Sequence, residues 1–136
     1  TEIYTLSLHD ALPISFLTDN AHDALMNYIR TNCENMYICS QEPTTFTEAS
    51  STYKLGTKAT PTIGAPAAGD TSGRKVTISA ISDGVVNSAG TATHYALTDD
   101  TGTELLFAGA LSSSLALATG SPWTLNAFDI ENPDPA

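Results

Sequence analysis

Three carboxylates crowd one short stretch, Asp99-Asp100-Thr101-Gly102-Thr103-Glu104. Oxygen ligands at that density suit a hard cation such as Ca²⁺. The order departs from the EF-hand loop, and adjacent aspartates before a glycine also favour a hairpin turn. The turn is the reading adopted here. His22 and His94 are the histidines beyond the first residues. A catalytic or metal role for either requires a second histidine or a carboxylate beside it in space. The alternation through Thr91-Ala92-Thr93-His94-Tyr95-Ala96-Leu97 instead sets His94 on a strand face opposite Tyr95 and Leu97. Ser112-Ser113-Ser114 is the densest serine group, but no G-x-S-x-G elbow surrounds it, so it reads as loop. Glu34, Glu42 and Glu48 flank irregular sequence. A glycosidase pair needs two carboxylates at a set separation, which sequence alone does not define. Cys33 and Cys39 match neither a zinc ribbon nor a redox CxxC, and Cys39 reads as a small buried hydrophobe. Gly69-Asp70-Thr71-Ser72-Gly73-Arg74-Lys75 lacks the phosphate-loop spacing, because Arg74 intervenes and Val76 follows Lys75. It reads as a turn into a strand. Trp123, Tyr95 and Phe107 read as core, with an aromatic sugar platform as the alternative if the rings face outward. No catalytic, cofactor-binding or metal-ligating residue is assigned, and no cofactor is expected.

The elements that would hold these residues are mostly strands. Thr18 to Asn32 reads as a helix, with Ala21, Leu25 and Ile29 forming an apolar stripe beside Ala24 and Tyr28. Thr18 or Asp19 caps its start, and Arg30 near its end suits the helix dipole. Met36–Ser40 is a short apolar run of strand length. Residues 41–73 are rich in Thr, Ser, Pro, Gly and Ala and read as a long excursion with at most one or two short edge strands. From Arg74 the rhythm is regular. A strand over Val76–Ala80 leads to a tight turn at Ser82-Asp83-Gly84 and a short return at Val85-Val86. Next come a strand over Thr91–Leu97, the turn at Asp99–Gly102, a strand over Glu104–Leu111 and a short one at Leu115–Ala118. Trp123 to Glu131 is the last strand, and its phase slips near Ala127 as a bulge would cause. Strands at about ten-residue spacing predict a mainly β fold, an antiparallel β-sandwich or barrel-like domain with one N-terminal α-helix.

Charge narrows the partners. The net charge is −10, and no Lys or Arg follows Lys75, against seven acids in that stretch. An acidic surface repels phosphates, so no nucleic-acid partner is expected, and it repels anionic membrane surfaces as well. No apolar run approaches the roughly 20 residues of a membrane span. The basic residues between Arg30 and Lys75 and the acidic C-terminal half suit contacts between neighbouring copies, with Arg74 and Lys75 facing an acidic neighbour.

Residues 1–15, from Thr1-Glu2-Ile3-Tyr4-Thr5-Leu6-Ser7-Leu8 to Ser15, resemble a translated sequencing-adapter read-through, which implies a metagenomic origin. They are expected to be a non-native N-terminal extension, with residues 16–136 forming a single β-rich domain. Tyr37-Ile38-Cys39-Ser40-Gln41-Glu42-Pro43, then Gly69–Ile78, Gly90–Leu97 and Phe128-Asp129-Ile130-Glu131-Asn132-Pro133-Asp134-Pro135, together resemble small proteins of tailed phages and prophages encoded among virion structural genes. The resemblance spans most of residues 16–136. It implies a noncatalytic bacteriophage structural protein located in the virion: a capsid decoration, head-fibre or tail-associated component. Its partners would be other virion proteins or copies of itself, as a homo-oligomer or bound to a lattice. The alternative is a carbohydrate- or receptor-binding β-sandwich module using Trp123 or Tyr95.

Overall fold

The structure is a computed structural model and describes residues 16–135. The expected N-terminal extension, and His9 within it, lie outside the described residues. The chain starts with helix α1 (Asp19–Asn32), followed by β1 (Asn35–Cys39), a single wide helical turn at Glu48–Thr52, and β2 (Lys54–Ala59). Then come β3 (Ala67–Ala68), β4 (Arg74–Ile78), β5 (Ile81–Val86), β6 (Gly90–Asp99), β7 (Glu104–Leu117), β8 (Trp123–Leu125) and β9 (Phe128–Asn132). Six strands form one sheet in the order β7-β6-β1-β2-β5-β8, and three form a second in the order β3-β4-β9. All pairings are antiparallel. The fold is mainly β, with the large sheet curled into a half-barrel and one N-terminal helix.

Helix α1 begins where expected: Thr18 Oγ1 accepts from the Ala21 amide at 3.3 Å and caps the first turn. Its buried face differs from the predicted one. His22, Met26 and Ile29 point inward, whereas Leu25 and Tyr28 are about half exposed. Both stripes share Ile29 and both follow helical spacing, so periodicity alone does not separate them. The choice is made by polar anchors at the helix flanks. Asp23 takes a forked pair of hydrogen bonds from Arg74 at 2.6 and 3.2 Å, and Arg30 Nε donates to the Ile63 carbonyl at 3.2 Å. These contacts turn the His22–Met26–Ile29 side onto β4 and β6.

The core sits on the concave side of the curled sheet. Met36, Ile38, Val76, Ile78, Ala92 and Leu97 are fully buried there with Ile81, Trp123 and Ile130. A smaller apolar cluster, Tyr37, Cys39, Ala49 and Ala96, lies on the opposite face under the wide turn at Glu48–Thr52. Residues 41–73 therefore do more than run round the edge. β2 lies inside the large sheet, between β1 and β5.

Two more boundaries differ from expectation. Ser82-Asp83-Gly84 is not a turn: β5 runs through it. Gly84 is there because Trp123 lies flat on that strand, so that a Cβ at Gly84 would stand 2.1 Å from the indole. Trp123 Nε1 donates to the Val85 carbonyl at 3.1 Å and fixes the ring. The phase slip near Ala127 is a change of sheet instead of a bulge. β8 pairs with β5 and β9 pairs with β4, and Asn126-Ala127 crosses between them.

Candidate functional site

The β6–β7 hairpin turn gathers the carboxylates singled out above, and each one accepts from its own donors. Gly102 N donates to Asp99 Oδ1 at 2.7 Å. Asp100 accepts from the Tyr37 hydroxyl at 2.5 Å and from Thr98 Oγ1 at 2.6 Å. Glu34, from the α1–β1 link, accepts from both the amide and the hydroxyl of Thr101, at 2.7 and 2.8 Å. Glu104 accepts from the Tyr28 hydroxyl at 2.7 Å, which ties the hairpin to α1. The Thr101 hydrogen bonds hold the Glu34 carboxyl below its ordinary range. Burial, and then Asp100, push the Tyr37 phenol well above its own. Thr103 closes the turn at φ 54, a left-handed conformation unusual for a β-branched residue. Among the described residues, no three His, Cys, Asp or Glu side chains gather at metal-ligating spacing.

The same economy governs the cations. Lys58 pairs with Asp83 at 2.8 Å, Lys75 with both Asp70 and Asp129, and Arg74 with Asp23. Lys54 stands 5.6 Å from the centre of the Tyr37 ring. Arg74 and Lys75, expected to face an acidic neighbour, are thus held by acids of their own chain. Gly69–Lys75 forms the expected turn into a strand, with the left-handed backbone at Gly73, φ 67. Its amides meet carboxylates: Asp70 N donates to Glu131 and Gly73 N to Asp134, at 2.6 and 3.1 Å.

The remaining sequence candidates stay apart. His94 is half-buried, with Nδ1 at 2.8 Å from Thr93 Oγ1. That hydroxyl donates its single proton to the Ser40 carbonyl at 2.9 Å, so it accepts from His94, which places the imidazole proton on Nδ1. His22 is 1% exposed, and its Nε2 lies 3.3 Å from Asp134 Oδ1. The distance fits an ion pair, yet neither ring nitrogen has a hydrogen-bond partner among the described residues. Cys33 and Cys39 are free thiols; burial raises their pKa to about 12 and about 11. Both are unreactive in that state. Glu48 accepts from the amide and hydroxyl of Thr44 at 2.7 and 2.9 Å and ties the start of the wide turn to the segment before it, whereas Glu42 is exposed.

One groove was not legible in the sequence. It opens between the far half of β7 and the β8–β9 crossing and encloses about 470 Å³. Tyr95, Leu111, Leu115, Leu125 and Phe128 give it an apolar floor, with Ser112, Ser113 and Asn126 among its polar lining. Ser112–Ser114, expected in a loop, belong to β7. They bulge there because Ala92 faces Leu115 while His94 faces Ala110. The Tyr95 ring meets Phe128 edge-on at 4.8 Å and lies across Gly109, where a Cβ would stand 2.9 Å from its hydroxyl. Burial alone raises the Tyr95 phenol to about 12, whereas Tyr28 and Tyr37 each bond a carboxylate. Tyr95 and Trp123 are both buried, so neither offers a flat exposed face.

Comparison with protein-family models, with curated proteins and with solved structures finds no significant match to this chain.

Proposed function

We propose that this chain is a noncatalytic assembly protein, a structural component of a tailed-phage virion that works by docking on neighbouring subunits. The observation that carries the docking role is the division of labour among its polar groups. The carboxylates of the β6–β7 turn and the basic residues of β2 and β4 are occupied by partners inside the fold. Among the described residues, what stays open is a long strand edge beside an apolar groove. The virion assignment itself comes from the sequence resemblance over residues 16–136. Mass spectrometry of purified particles from a host carrying the gene tests it. Peptides at stoichiometric level in particles are expected, and their consistent absence contradicts the reading.

The groove favours a second reading, a small-ligand or carbohydrate module. An apolar floor of this size with a few polar groups is what such sites usually offer. Tyr95, Phe128, Ser112 and Asn126 would make the contacts. A glycan array with no binding contradicts it. Binding abolished by Tyr95→Phe and Asn126→Ala, with the fold retained, supports it.

A further inference from the structure

We propose that the groove between β7 and the β8–β9 crossing binds a small, uncharged, mainly apolar ring molecule whose hydrogen-bonding head group is taken by the Tyr95 hydroxyl. The inference rests on the small-ligand reading above and narrows it, setting the sugar aside.

Tyr95 is the buried aromatic whose polar atom is left over. The hydroxyls of Tyr28 and Tyr37 donate to carboxylates, and Trp123 Nε1 donates to a carbonyl. Tyr95 is 6% exposed, yet its hydroxyl has no such partner among the described residues. Nor is that hydroxyl sealed in. Among the described residues, the fully enclosed side-chain nitrogens and oxygens without a partner both belong to His22. The Tyr95 ring lines the groove, so its hydroxyl is reached from there. Burial alone raises this phenol to about 12, so at neutral pH it stays protonated and can donate as well as accept. Its position is fixed. Gly109 faces Tyr95 across the β6–β7 ladder, and the missing Cβ lets the ring lie across β7. Phe128 meets the ring edge-on at 4.8 Å, and Phe107 stacks on it at 6.0 Å.

Charge and shape select the ligand. No Lys, Arg or His lines the groove, and the protein carries a net −10, so an anion meets nothing to pair with. The one carboxylate of the lining, Asp129, is already engaged: Oδ1 accepts from Thr77 and Oδ2 from Lys75. A cation finds that charge taken. Desolvating either kind of ion without a partner is strongly unfavourable, and a neutral molecule avoids it. Leu111, Leu115, Leu125 and Phe128 form the floor. A sugar would press hydroxyls against that floor and leave them unpaired, whereas an apolar ring fits it. The volume of about 470 Å³ holds on the order of fifteen water-sized groups at about 30 Å³ each, which suits a two-ring molecule.

The experiment uses the full chain and three probes: 2-naphthol, a neutral two-ring phenol; 2-naphthoate, its charged counterpart; and methyl glucoside. Amide NMR titration is expected to show 2-naphthol binding with Kd below about 1 mM, its shifts confined to residues 95, 110–115 and 124–129. 2-Naphthoate is expected to bind at least about tenfold more weakly. Tyr95→Phe removes an oxygen that bonds nothing within the fold. It is expected to leave Tm unchanged and to weaken 2-naphthol by about fivefold, the loss of one hydrogen bond. A Tyr95 hydroxyl with a merely structural role would lower Tm and spare the affinity. Ala127→Trp, on the exposed crossing, fills the groove and is expected to abolish binding. Shifts scattered over the surface, an affinity that ignores both variants, or 2-naphthoate binding as tightly as 2-naphthol each overturn the proposal. Methyl glucoside seated in the groove while 2-naphthol fails to bind overturns this inference and leaves the ligand-module reading standing. Silence from all three probes, together with an empty glycan array, overturns both.

Discussion

The two ends of the β6–β7 hairpin are built on opposite rules. At the turn, Asp99, Asp100, Glu34 and Glu104 each meet a donor within 2.8 Å, and two tyrosines from other elements join them. Along the free side of β7, there is no charge from Leu105 to Leu117, and apolar side chains are only partly covered. A carboxylate cluster that looks reactive in sequence is thus engaged by donors of its own fold, and a plain apolar run is the part left less covered. In a chain this acidic, that engagement stabilises the fold locally, while the uncharged edge gives another molecule a place to approach.

The largest expected effect that sharpens this contrast is at Asp100. Asp100→Ala strands the hydroxyl of the buried Tyr37, whereas Thr98 keeps the Asn35 carbonyl at 3.4 Å as an acceptor. One unsatisfied buried hydroxyl costs about 2 kcal/mol. Chemical denaturation is expected to show that loss with an unchanged m-value. A loss below about 0.5 kcal/mol breaks the claim that the turn is structural.

Glu34→Ala comes next. It removes two bonds to Thr101 at the exposed rim, so a drop in Tm smaller than that of Asp100→Ala is expected. Calorimetry of both variants orders them. Equal drops would mean that the two carboxylates act as one unit, which the geometry denies.

Titration gives a third test with a defined sign. Thr101 lowers the Glu34 pKa, Thr44 that of Glu48, and Lys75 that of Asp129. A lowered carboxyl stabilises the fold above the ordinary unfolded range of about 4, and that contribution is lost as pH falls through the lower folded values. Burial raises Cys33 to about 12 and Cys39 to about 11. Their contribution is full below the unfolded thiol value of about 8.5 and is lost as pH rises from there towards the folded values. Tm against pH is therefore expected to be flat from about 5 to 8 and to fall on both sides. In Cys33→Ala the alkaline fall is expected to shrink.

The smallest effect belongs to the open side. Ser113→Lys sits on the exposed serine bulge of β7 and is expected to change monomer stability by less than about 0.5 kcal/mol. A larger loss in urea denaturation would show that the bulge is part of the core.

Local signals read well where they were unopposed. The cap at Thr18, the hairpin turn at Asp99–Gly102 and the strands around Tyr37 and Tyr95 are short-range consequences of residue type, and they stand where sequence places them. The misplaced features all depend on tertiary partners. Gly84 reads as a turn residue until Trp123 is laid on it. Leu25 reads as core until Arg74 and Arg30 rotate the helix to bury His22 and Met26. β2 reads as an excursion because its sequence, Lys54-Leu55-Gly56-Thr57-Lys58-Ala59, is polar; it is held centrally by ladders on both sides. The groove joins Tyr95, the 110–115 stretch and the 124–129 crossing from three separate strands, so no local pattern announces it.

Amide hydrogen exchange tests the central claim most directly. The Asp99–Glu104 turn is expected to stay protected, while the amides of Leu105–Ala110 that face away from β6 exchange readily. A turn that exchanges freely, beside a fully protected edge, would contradict the account.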